Sequence, residues 1–361
     1  MSSHVITSQR EFEELCQRIR EAGLVAFDTE FVSESTYRPR LSLLQFAVQG
    51  EAVAVDPLVV RDLSPWWEIM GDDTTTVIAH GSREEIKFCV SLGGLTPRKL
   101  IDVQIAEGLL TRGYPVGHSQ LVLRVLGLRT TGKQTRTDWE RRPLREDQLQ
   151  YALEDVEHLE QVWITQAKAL EELGRLDWAF AEFDRYTRLI SSEPLRGDWR
   201  RLPGANRLAR REMGVLQELQ AWRENVAERS DKPARWILRD DILVELAKLH
   251  PKSSNDLMQM RAMQQRGSQR FQDEILHAVR KGMEIPDANL PEKPVVRRGL
   301  PDFQPLTRLL AMALANRCAD LSISMSLVGT TSDLEALIRW HSFDNRKGET
   351  PSLMVGWREE V

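Results

Sequence analysis

The stretch GLVAFDTEF, residues 23–31, joins a short apolar run to two acidic residues. The apolar part predicts a buried strand, and the carboxylates follow where that strand ends. Because positions i and i+2 of a strand point to the same side, we expect Asp28 and Glu30 to project together. A divalent cation compensates such paired charges, and carboxylate oxygens suit Mg²⁺ or Mn²⁺. Taken alone, a solvated strand end explains the pair more simply.

Further strand and helix signals follow this stretch along the chain. Apolar runs at residues 41–48 and 52–55 are joined by a short polar connection, which predicts an antiparallel start. Strand signals at residues 75–79 and 100–101 are each followed by a helical pattern. A three-stranded meander followed by β-α-β-α predicts a mixed α/β sheet with helices on its faces.

The later part of the chain has almost no strand signals. Residues 191–211 contain two prolines, two glycines and six arginines, and residues 285–305 contain five prolines, so both predict linkers. The segments between them have helical patterns. The predicted organisation is an α/β domain over 1–190, a basic linker over 191–210, a helical domain over 211–286, a proline-rich linker over 287–305 and a second helical domain over 306–361.

Composition excludes several classes of protein. The 361 residues are 41% hydrophobic and 29% charged, an ordinary balance for a globular chain of two or three domains. The longest uncharged stretch has twelve residues, and a membrane span needs about 18. The first residues lack the apolar core of a signal peptide, and the three cysteines have no motif spacing. We therefore expect a cytoplasmic protein without a membrane anchor, disulfide framework or zinc site.

Tyr151 and Asp155 form a second candidate pair. They lie four residues apart in a predicted helix, and hence on one face of it. A phenol beside a metal-binding carboxylate can orient a water nucleophile. In isolation, a surface Tyr–Asp pair is the simpler explanation.

Between these pairs, His80 ends a predicted strand that runs into a helix. Glu84 and Glu85 lie in the first turn of that helix, where Glu84 also fits a solvated position favoured by the helix dipole. Asp102 closes the next strand and suits a helix N-cap as well as a catalytic role. Together, carboxylates from the first strand, this helix and the late helix can converge on two metal ions. Such ions, about 3.5–4 Å apart, activate water and stabilise the leaving oxygen in phosphodiester hydrolysis.

Seven segments of the chain carry a family resemblance. They are Asp28-Thr-Glu-Phe31, Leu41-Ser-Leu-Leu-Gln-Phe46, His80-Gly-Ser82, Leu100-Ile-Asp102, Thr137-Asp-Trp139, Arg142-Pro-Leu144 and Tyr151-Ala-x-x-Asp155. Together they closely resemble bacterial ribonuclease D, a DEDDy-class 3′–5′ exonuclease family with a ribonuclease H-like core. Later segments resemble HRDC domains, the helical modules of that family. These are Leu216-x-x-Leu219-x-x-Trp222-Arg223, Pro233, Leu243-x-x-Leu246-Ala247, Pro251-x-Ser253 and, for a second module, Gly356-Trp-Arg358.

The resemblance implies that Asp28, Glu30 and Asp155 bind two divalent cations, Mg²⁺ or Mn²⁺. It also implies that Tyr151 positions the attacking water. One position departs from the family, which usually has aspartate where this chain has Glu85.

A glutamate at position 85 can still bind a metal, but its side chain is one methylene longer. The helix or the metal must then shift, or a water must intervene. The neighbouring Arg83 is a candidate direct neutraliser. We expect activity, metal preference or rate to differ from those of the family.

The basic stretch 124–145 holds seven Arg and Lys residues against Asp138 and Glu140. A basic rim beside an acidic metal centre suits a nucleic-acid strand, although a solvated loop also explains it. The predicted substrate contacts are His80, Arg136, Arg141 and Arg142, with Phe31 and Tyr37 stacking on terminal bases. Core packing is an equally good explanation for Phe31.

The function implied is trimming of RNA 3′ ends, such as those of tRNA precursors, with release of 5′-nucleotides by a monomer. No residue discriminates the 2′-hydroxyl from sequence alone, so a DNA 3′–5′ exonuclease remains an alternative. Glu85 also leaves open a nucleic-acid-binding protein with weakened catalysis.

Overall fold

The computed structural model of the protein describes residues 5–131, 137–194, 197–260, 263, 270–292, 303–344 and 346–361. The chain forms two units. The first contains Met1–Phe31, Leu41–Glu193 and Pro301–Val361, and the second contains Val32–Arg40 and Pro194–Leu300. No helix in the described ranges is long and apolar enough to cross a bilayer.

A six-stranded sheet lies at the centre of the first unit. Its strands are β1 (Val5–Ile6), β2 (Leu24–Val32), β3 (Arg40–Val48), β4 (Glu51–Val55), β5 (Thr76–Ala79) and β6 (Leu100–Asp102), in the order β1-β4-β3-β2-β5-β6. Strands β3 and β4 are antiparallel, whereas β2, β5 and β6 are parallel. The predicted mixed sheet is therefore confirmed. The short β1, parallel to β4, was not predicted.

The register of the sheet positions the acidic residues. Ala26 pairs with Ile78, and Ala79 pairs with Asp102. Asp28 and Glu30 therefore lie at and beyond the level where β5 ends. Two residues of one strand that are two apart share a face, so both carboxylates project from the same side of β2.

Between residues 9 and 191, the described part of the first unit has eight helices. They are α1 (Gln9–Ala22), α2 (Ser64–Gly71), α3 (Arg83–Phe88, continued by the π-helical turn Cys89–Gly93), α4 (Val103–Leu110), α5 (His118–Leu126), α6 (Glu146–Glu157), α7 (Leu159–Glu172) and α8 (Leu176–Ser191). The helical pattern over 145–173 proves to be two helices that meet at His158. Because His158 keeps helical dihedrals (φ −105°, ψ −5°), the apolar period continues through the break and does not reveal it.

Apolar cores cover both faces of the sheet. On one face, Phe27 and Phe46 pack against Trp66 of α2, with ring centroids 4.6 and 4.8 Å apart. On the other face, Ala26 and Ile78 belong to a core that also includes residues of α4, α7 and α8. The sheet is thus held between two apolar layers, and β2 is a central strand.

The second unit is helical. Its helices are α9 (Arg210–Ser230), α10 (Ala234–Ile237), α11 (Asp240–Leu249), α12 (Ser254–Gln259) and α13 (Gln272–Glu284). The segment predicted as a basic linker contributes Trp199, Ala205 and Leu208 to the core of this unit. Residues Val32–Arg40, between β2 and β3, belong to the same unit.

The last three helices, α14 (Gln304–Asp320), α15 (Met325–Val328) and α16 (Thr331–Ser342), belong to the first unit. Cys318, Ile323, Leu327 and Trp357 share one apolar core with residues of α4, α7 and α8. The sequence predicted a second helical domain here. The domain boundaries remain a prediction, but these residues do not have a core of their own among the described clusters.

A buried ion pair joins this C-terminal segment to α8. Arg358 Nη2 donates to Glu182 Oε2 at 2.8 Å, and the two side chains are only 7% and 1% exposed. The same guanidinium donates to the carbonyl oxygens of Leu327 and Val328. Arg185 also pairs with Glu182. Arg358 therefore satisfies one buried charge and two buried carbonyls.

We expect Arg358→Met to destabilise the protein by about 3 kcal/mol or more, because breaking a buried pair leaves an undercompensated charge. Urea unfolding followed by tryptophan fluorescence measures this. The control is Arg317→Met, an exposed arginine with one bond to the C-terminal residue. Surface substitutions of that kind typically change stability by about 0.5 kcal/mol or less. Equal stability of the two variants would show that the ion pair contributes nothing.

Candidate active site

Asp28 and Glu30, on one face of β2, form the centre of an acidic cluster. Burial raises the pKa of Asp28 well above its usual value, and the charges of Glu85, Asp155 and Glu30 raise it further. Burial, followed by the charges of Asp155 and Glu85, raises the pKa of Glu30 to about 8. These mutual effects place four carboxylates from β2, α3 and α6 within electrostatic range of one another.

Glu85 is the carboxylate that α3 contributes. It is 4% exposed, and its Oε1 accepts a hydrogen bond from Thr29 Oγ1 at 2.6 Å. Burial raises the pKa of Glu85 to about 7, while the Thr29 hydroxyl opposes the shift. Thr29 lies between the two β2 carboxylates. The longer glutamate is therefore tied to the same strand that carries the first acidic pair.

Arg83 does not neutralise Glu85. Its Nη2 donates at 2.5 Å to Oε2 of Glu193, which lies two residues beyond the end of α8. Glu84 pairs with Lys87, one turn along α3, as the solvated alternative predicted.

Asp102 is a structural N-cap. Its Oδ1 accepts hydrogen bonds from the backbone amides of Gly81 and Gln104, and its Oδ2 accepts from the backbone amide and hydroxyl of Ser82. With both oxygens occupied, Asp102 fixes the turn after β5 to the start of α4. This geometry favours Glu85 over Asp102 as the middle carboxylate.

Asp155 and Tyr151 occupy one face of α6, one turn apart. Burial and the charge of Asp155 raise the pKa of Tyr151, and a hydrogen bond between the two side chains adds to the shift. The Tyr151 phenol therefore stays protonated and can donate. Its ring lies 6.4 Å from that of Trp139.

His118, at the start of α5, was missed in the sequence. Its Nδ1 lies 3.0 Å from Asp155 Oδ1, and the two side chains are 11% and 13% exposed. No spacing rule connects a residue of α5 with one of α6, so only the tertiary structure reveals the pair. His80 packs edge-on against His118, with ring centroids 5.6 Å apart.

The residues predicted to contact nucleic acid differ in their surroundings. His80 Nε2 lies 2.9 Å from the Val116 carbonyl oxygen, and burial lowers the pKa of His80, so this ring is held by the main chain. Arg141 is exposed. Arg136 lies outside the described residues.

The prediction for Arg142 is contradicted. Its guanidinium donates to both carboxylate oxygens of Asp56, at 2.5 and 2.8 Å, and to the carbonyl oxygens of Ser42 and Trp139. With these donors engaged, Arg142 fastens its loop to β3 and to the residue after β4. It is not available as a phosphate contact.

The two aromatic residues also have protein partners. Phe31 packs against the apolar core, with its ring 5.7 Å from that of Phe88, which agrees with the packing alternative. Tyr37 belongs to the second unit, where its hydroxyl donates to Glu224 Oε2 at 2.7 Å. Its backbone amide donates to Asp231 Oδ1 at 3.1 Å. The hydroxyl and the backbone amide of Tyr37 therefore contact other residues of the second unit, and stacking of its ring on a terminal base stays a prediction.

The carboxylate cluster fits a divalent metal by its donor chemistry. The four carboxylates supply only hard oxygen donors, and burial raises the pKa values of Asp28, Glu30 and Glu85, with like charges adding to the shifts. Among the described His, Cys, Asp and Glu side chains, no group of three is arranged as a closed ligand set. Two of the four carboxylates are instead held by Thr29 and His118.

Residues 3–170 match the family described as 3′–5′ exonuclease, and residues 212–279 match the HRDC domain. The mixed sheet, the acidic cluster and these matches define a 3′–5′ exonuclease of the DEDD type with an HRDC domain. Enzymes of this type generally depend on divalent metal ions.

Comparison with known proteins narrows this class. Ribonuclease D of Bartonella henselae is 31% identical over 372 residues, covering 99% of this chain and 87% of the relative. Ribonuclease D of Gluconacetobacter diazotrophicus is 32% identical over 366 residues, covering 99% and 90%. The crystal structure of Escherichia coli RNase D, an exoribonuclease involved in structured RNA processing, is similar with a TM-score of 0.88 at 28% identity, covering 100% and 96%. The chain belongs to the ribonuclease D family and is a 3′–5′ exoribonuclease, which confirms the resemblance seen in the sequence.

We expect Glu85→Gln to lower kcat by roughly 10²-fold, since loss of about 3 kcal/mol of transition-state stabilisation has that effect. Glu85→Asp should keep or raise activity, because the shorter side chain restores the family's usual ligand. Single-turnover rates on labelled RNA measure both, with Glu84→Gln as the control for removal of a neighbouring charge. A silent Glu85→Gln together with an inactive Asp102→Asn would move the ligand role to Asp102.

The raised pKa values predict how metal-free stability depends on pH. A carboxyl group whose pKa is higher in the folded state favours folding when protonated, so its contribution is lost as pH rises. For Glu30 the loss runs from its ordinary pKa of 4.5 to about 8. We expect the melting temperature in a chelator to fall across this window, and to fall less in Glu30→Gln. Parallel curves for the two proteins would contradict the raised pKa.

Proposed function

We propose that this protein trims the 3′ ends of structured RNA, tRNA precursors among them, using two divalent cations held by Asp28, Glu30, Glu85 and Asp155. The observation that carries the proposal is the acidic cluster at the end of β2, where the charges of Glu85 and Asp155, from two helices, raise the pKa values of Asp28 and Glu30 beyond the effect of burial. The relation to Escherichia coli RNase D, which acts in structured RNA processing, supports this class of substrate.

Each residue has a distinct task in this scheme. The four carboxylates bind and orient the cations, Mg²⁺ or Mn²⁺. When bound, such ions lower the pKa of water and stabilise the leaving oxygen of a phosphodiester. Tyr151 keeps its proton at neutral pH because burial and Asp155 raise its pKa, so its hydroxyl can orient the attacking water.

Because the site is poorly solvated, we expect it to bind the RNA phosphate only together with the cations. Carboxylates in a desolvated cleft repel each other, and they equally repel a phosphate. Only a cationic centre makes this surface attractive to a polyanion. The same low dielectric strengthens every interaction with the scissile phosphate once the charges are balanced.

We propose that basic residues away from the carboxylate cluster bind the rest of the RNA. Residues 1–190 carry 22 Lys and Arg against 30 Asp and Glu, whereas residues 191–361 carry 27 against 24. We assign phosphate contacts to Arg141 and Arg136, both of the basic stretch 124–145, and to the helical region. Cys16, Cys89 and Cys318 are buried free thiols, which suits action in the reducing cytoplasm.

The test compares RNA and DNA of the same sequence, each labelled at its 5′ end, with and without Mg²⁺ or Mn²⁺. We expect stepwise shortening of the RNA from its 3′ end, release of 5′-nucleotides, and no reaction in a chelator. Shortening of the DNA at an equal rate would favour the DNA exonuclease alternative. Internal cuts or metal-independent cleavage would contradict the proposal.

A further inference from the structure

Asp155 interacts with two neighbouring side chains, and only one of them has a task so far. Tyr151, whose pKa Asp155 raises, is the first, and His118 Nδ1, 3.0 Å from Oδ1, is the second. Both members of the His118–Asp155 pair are nearly buried. His118 begins α5 directly after Gly117, whose extended dihedrals (φ −71°, ψ 151°) end the preceding loop. The contact therefore joins two helices at the candidate ligand itself.

The His118 ring is fixed by its surroundings. Its edge packs against His80, and His80 in turn is bonded to the carbonyl of Val116, two residues before His118. Nε2 of His118 is buried and has no hydrogen-bond partner among the described residues. The 3.0 Å approach of Nδ1 to Asp155 Oδ1 is hence the polar contact that accounts for a histidine at this place.

Stability alone does not explain this residue. A buried polar atom without a partner costs free energy, so an apolar ring of similar size would suit the fold at least as well. Because Nδ1 faces a carboxylate, it is the nitrogen that carries the hydrogen, and Nε2 is left as an unpaired acceptor. What His118 provides instead is a defined orientation of the Asp155 carboxylate.

We propose that His118 is a positioning residue, whose Nδ1–H holds Asp155 in the orientation in which it binds the divalent cation. The inference rests on the proposed function, since it gives Asp155 a ligand role. Partners that orient metal ligands typically contribute about 10–100-fold to metal affinity or activity. The role is distinct from that of Tyr151, because a group that only orients the ligand changes metal binding before any RNA is present.

The test uses the full-length protein and three variants. His118→Phe keeps a ring and removes the donor, His118→Asn keeps a donor close to the place of Nδ1, and Asp155→Asn removes the ligand. Calorimetric titration with Mn²⁺ in the absence of RNA gives the dissociation constant. Steady-state kinetics on a short single-stranded RNA separate kcat from KM, and thermal unfolding in a chelator reports the fold.

We expect His118→Phe to weaken Mn²⁺ binding and lower kcat by about 10-fold or more, with KM and the chelator melting temperature nearly unchanged. His118→Asn should recover most of both losses. Wild-type Mn²⁺ affinity in His118→Phe, or equal losses in the Phe and Asn variants, would overturn the positioning role while an inactive Asp155→Asn upholds the proposed function. If Asp155→Asn itself binds Mn²⁺ and turns over like the wild type, the proposed function fails as well.

Discussion

Asp28→Asn is expected to lower kcat by roughly 10³-fold or more, because a metal centre supplies several kcal/mol of transition-state stabilisation and about 4 kcal/mol corresponds to that factor. Asp28 lies at the centre of the cluster, where Glu85, Asp155 and Glu30 all raise its pKa. An amide at this position removes a hard ligand and one negative charge. Single-turnover cleavage of labelled RNA and calorimetric titration with Mn²⁺ measure the two consequences.

The same substitution should not harm the metal-free fold. Burial is the largest cause of the raised pKa of Asp28, so an uncharged isostere removes a desolvation cost together with like-charge repulsion. We expect its melting temperature in a chelator to equal or exceed that of the wild type. Glu21→Gln, which removes an exposed carboxylate from α1, is the matched control and should behave as the wild type. Full turnover and Mn²⁺ binding by Asp28→Asn would exclude the site as described.

Tyr151→Phe is expected to lower kcat by about 10²–10⁴-fold with little change in KM for RNA, the range typical of a residue that acts on a proton or water in the transition state. The hydroxyl remains protonated because burial and the charge of Asp155 raise its pKa. Loss of the oxygen leaves the ring and its packing beside Trp139 in place. Single-turnover rates separate the chemical step from binding and release.

Tyr114→Phe is the matched control for this experiment. Burial is the main cause of the raised pKa of Tyr114, and the charges that act on it are those of Asp102, Glu182 and Arg185, not those of the acidic cluster. Removal of its hydroxyl should leave kcat within about twofold of the wild type, as expected for a group outside the reaction. An unchanged single-turnover rate in Tyr151→Phe would remove that residue from the mechanism.

The mixed sheet could be predicted from the sequence because its strands have local apolar patterns. The run before Asp28 and the runs at 41–48 and 52–55 are apolar enough to predict strands, and the structure places them together in one sheet. The first helix was detectable but overlooked. Its buried residues Phe12, Leu15, Cys16 and Ile19 follow the three- and four-residue spacing of an amphipathic helix.

The placement of the arginines and the histidine could not be predicted in the same way. A count of basic residues near the site does not say which of them already has a partner, and Arg142 is fully engaged by Asp56 and three carbonyl oxygens. His118 meets Asp155 only through the tertiary structure, which brings the first residue of α5 next to a side chain of α6. The count of charged residues also did not predict that Arg358, near the C-terminus, forms a buried ion pair with Glu182.

The central claim is that four carboxylates, with Glu85 in place of the usual aspartate, hold the divalent cations of this enzyme. Anomalous diffraction from crystals equilibrated with Mn²⁺ tests it most directly. The account predicts two anomalous peaks, separated by about 3.5–4 Å, among the side chains of Asp28, Glu30, Glu85 and Asp155. Peaks bound by Asp102 in place of Glu85, or Mn²⁺ sites only at the surface, would contradict it.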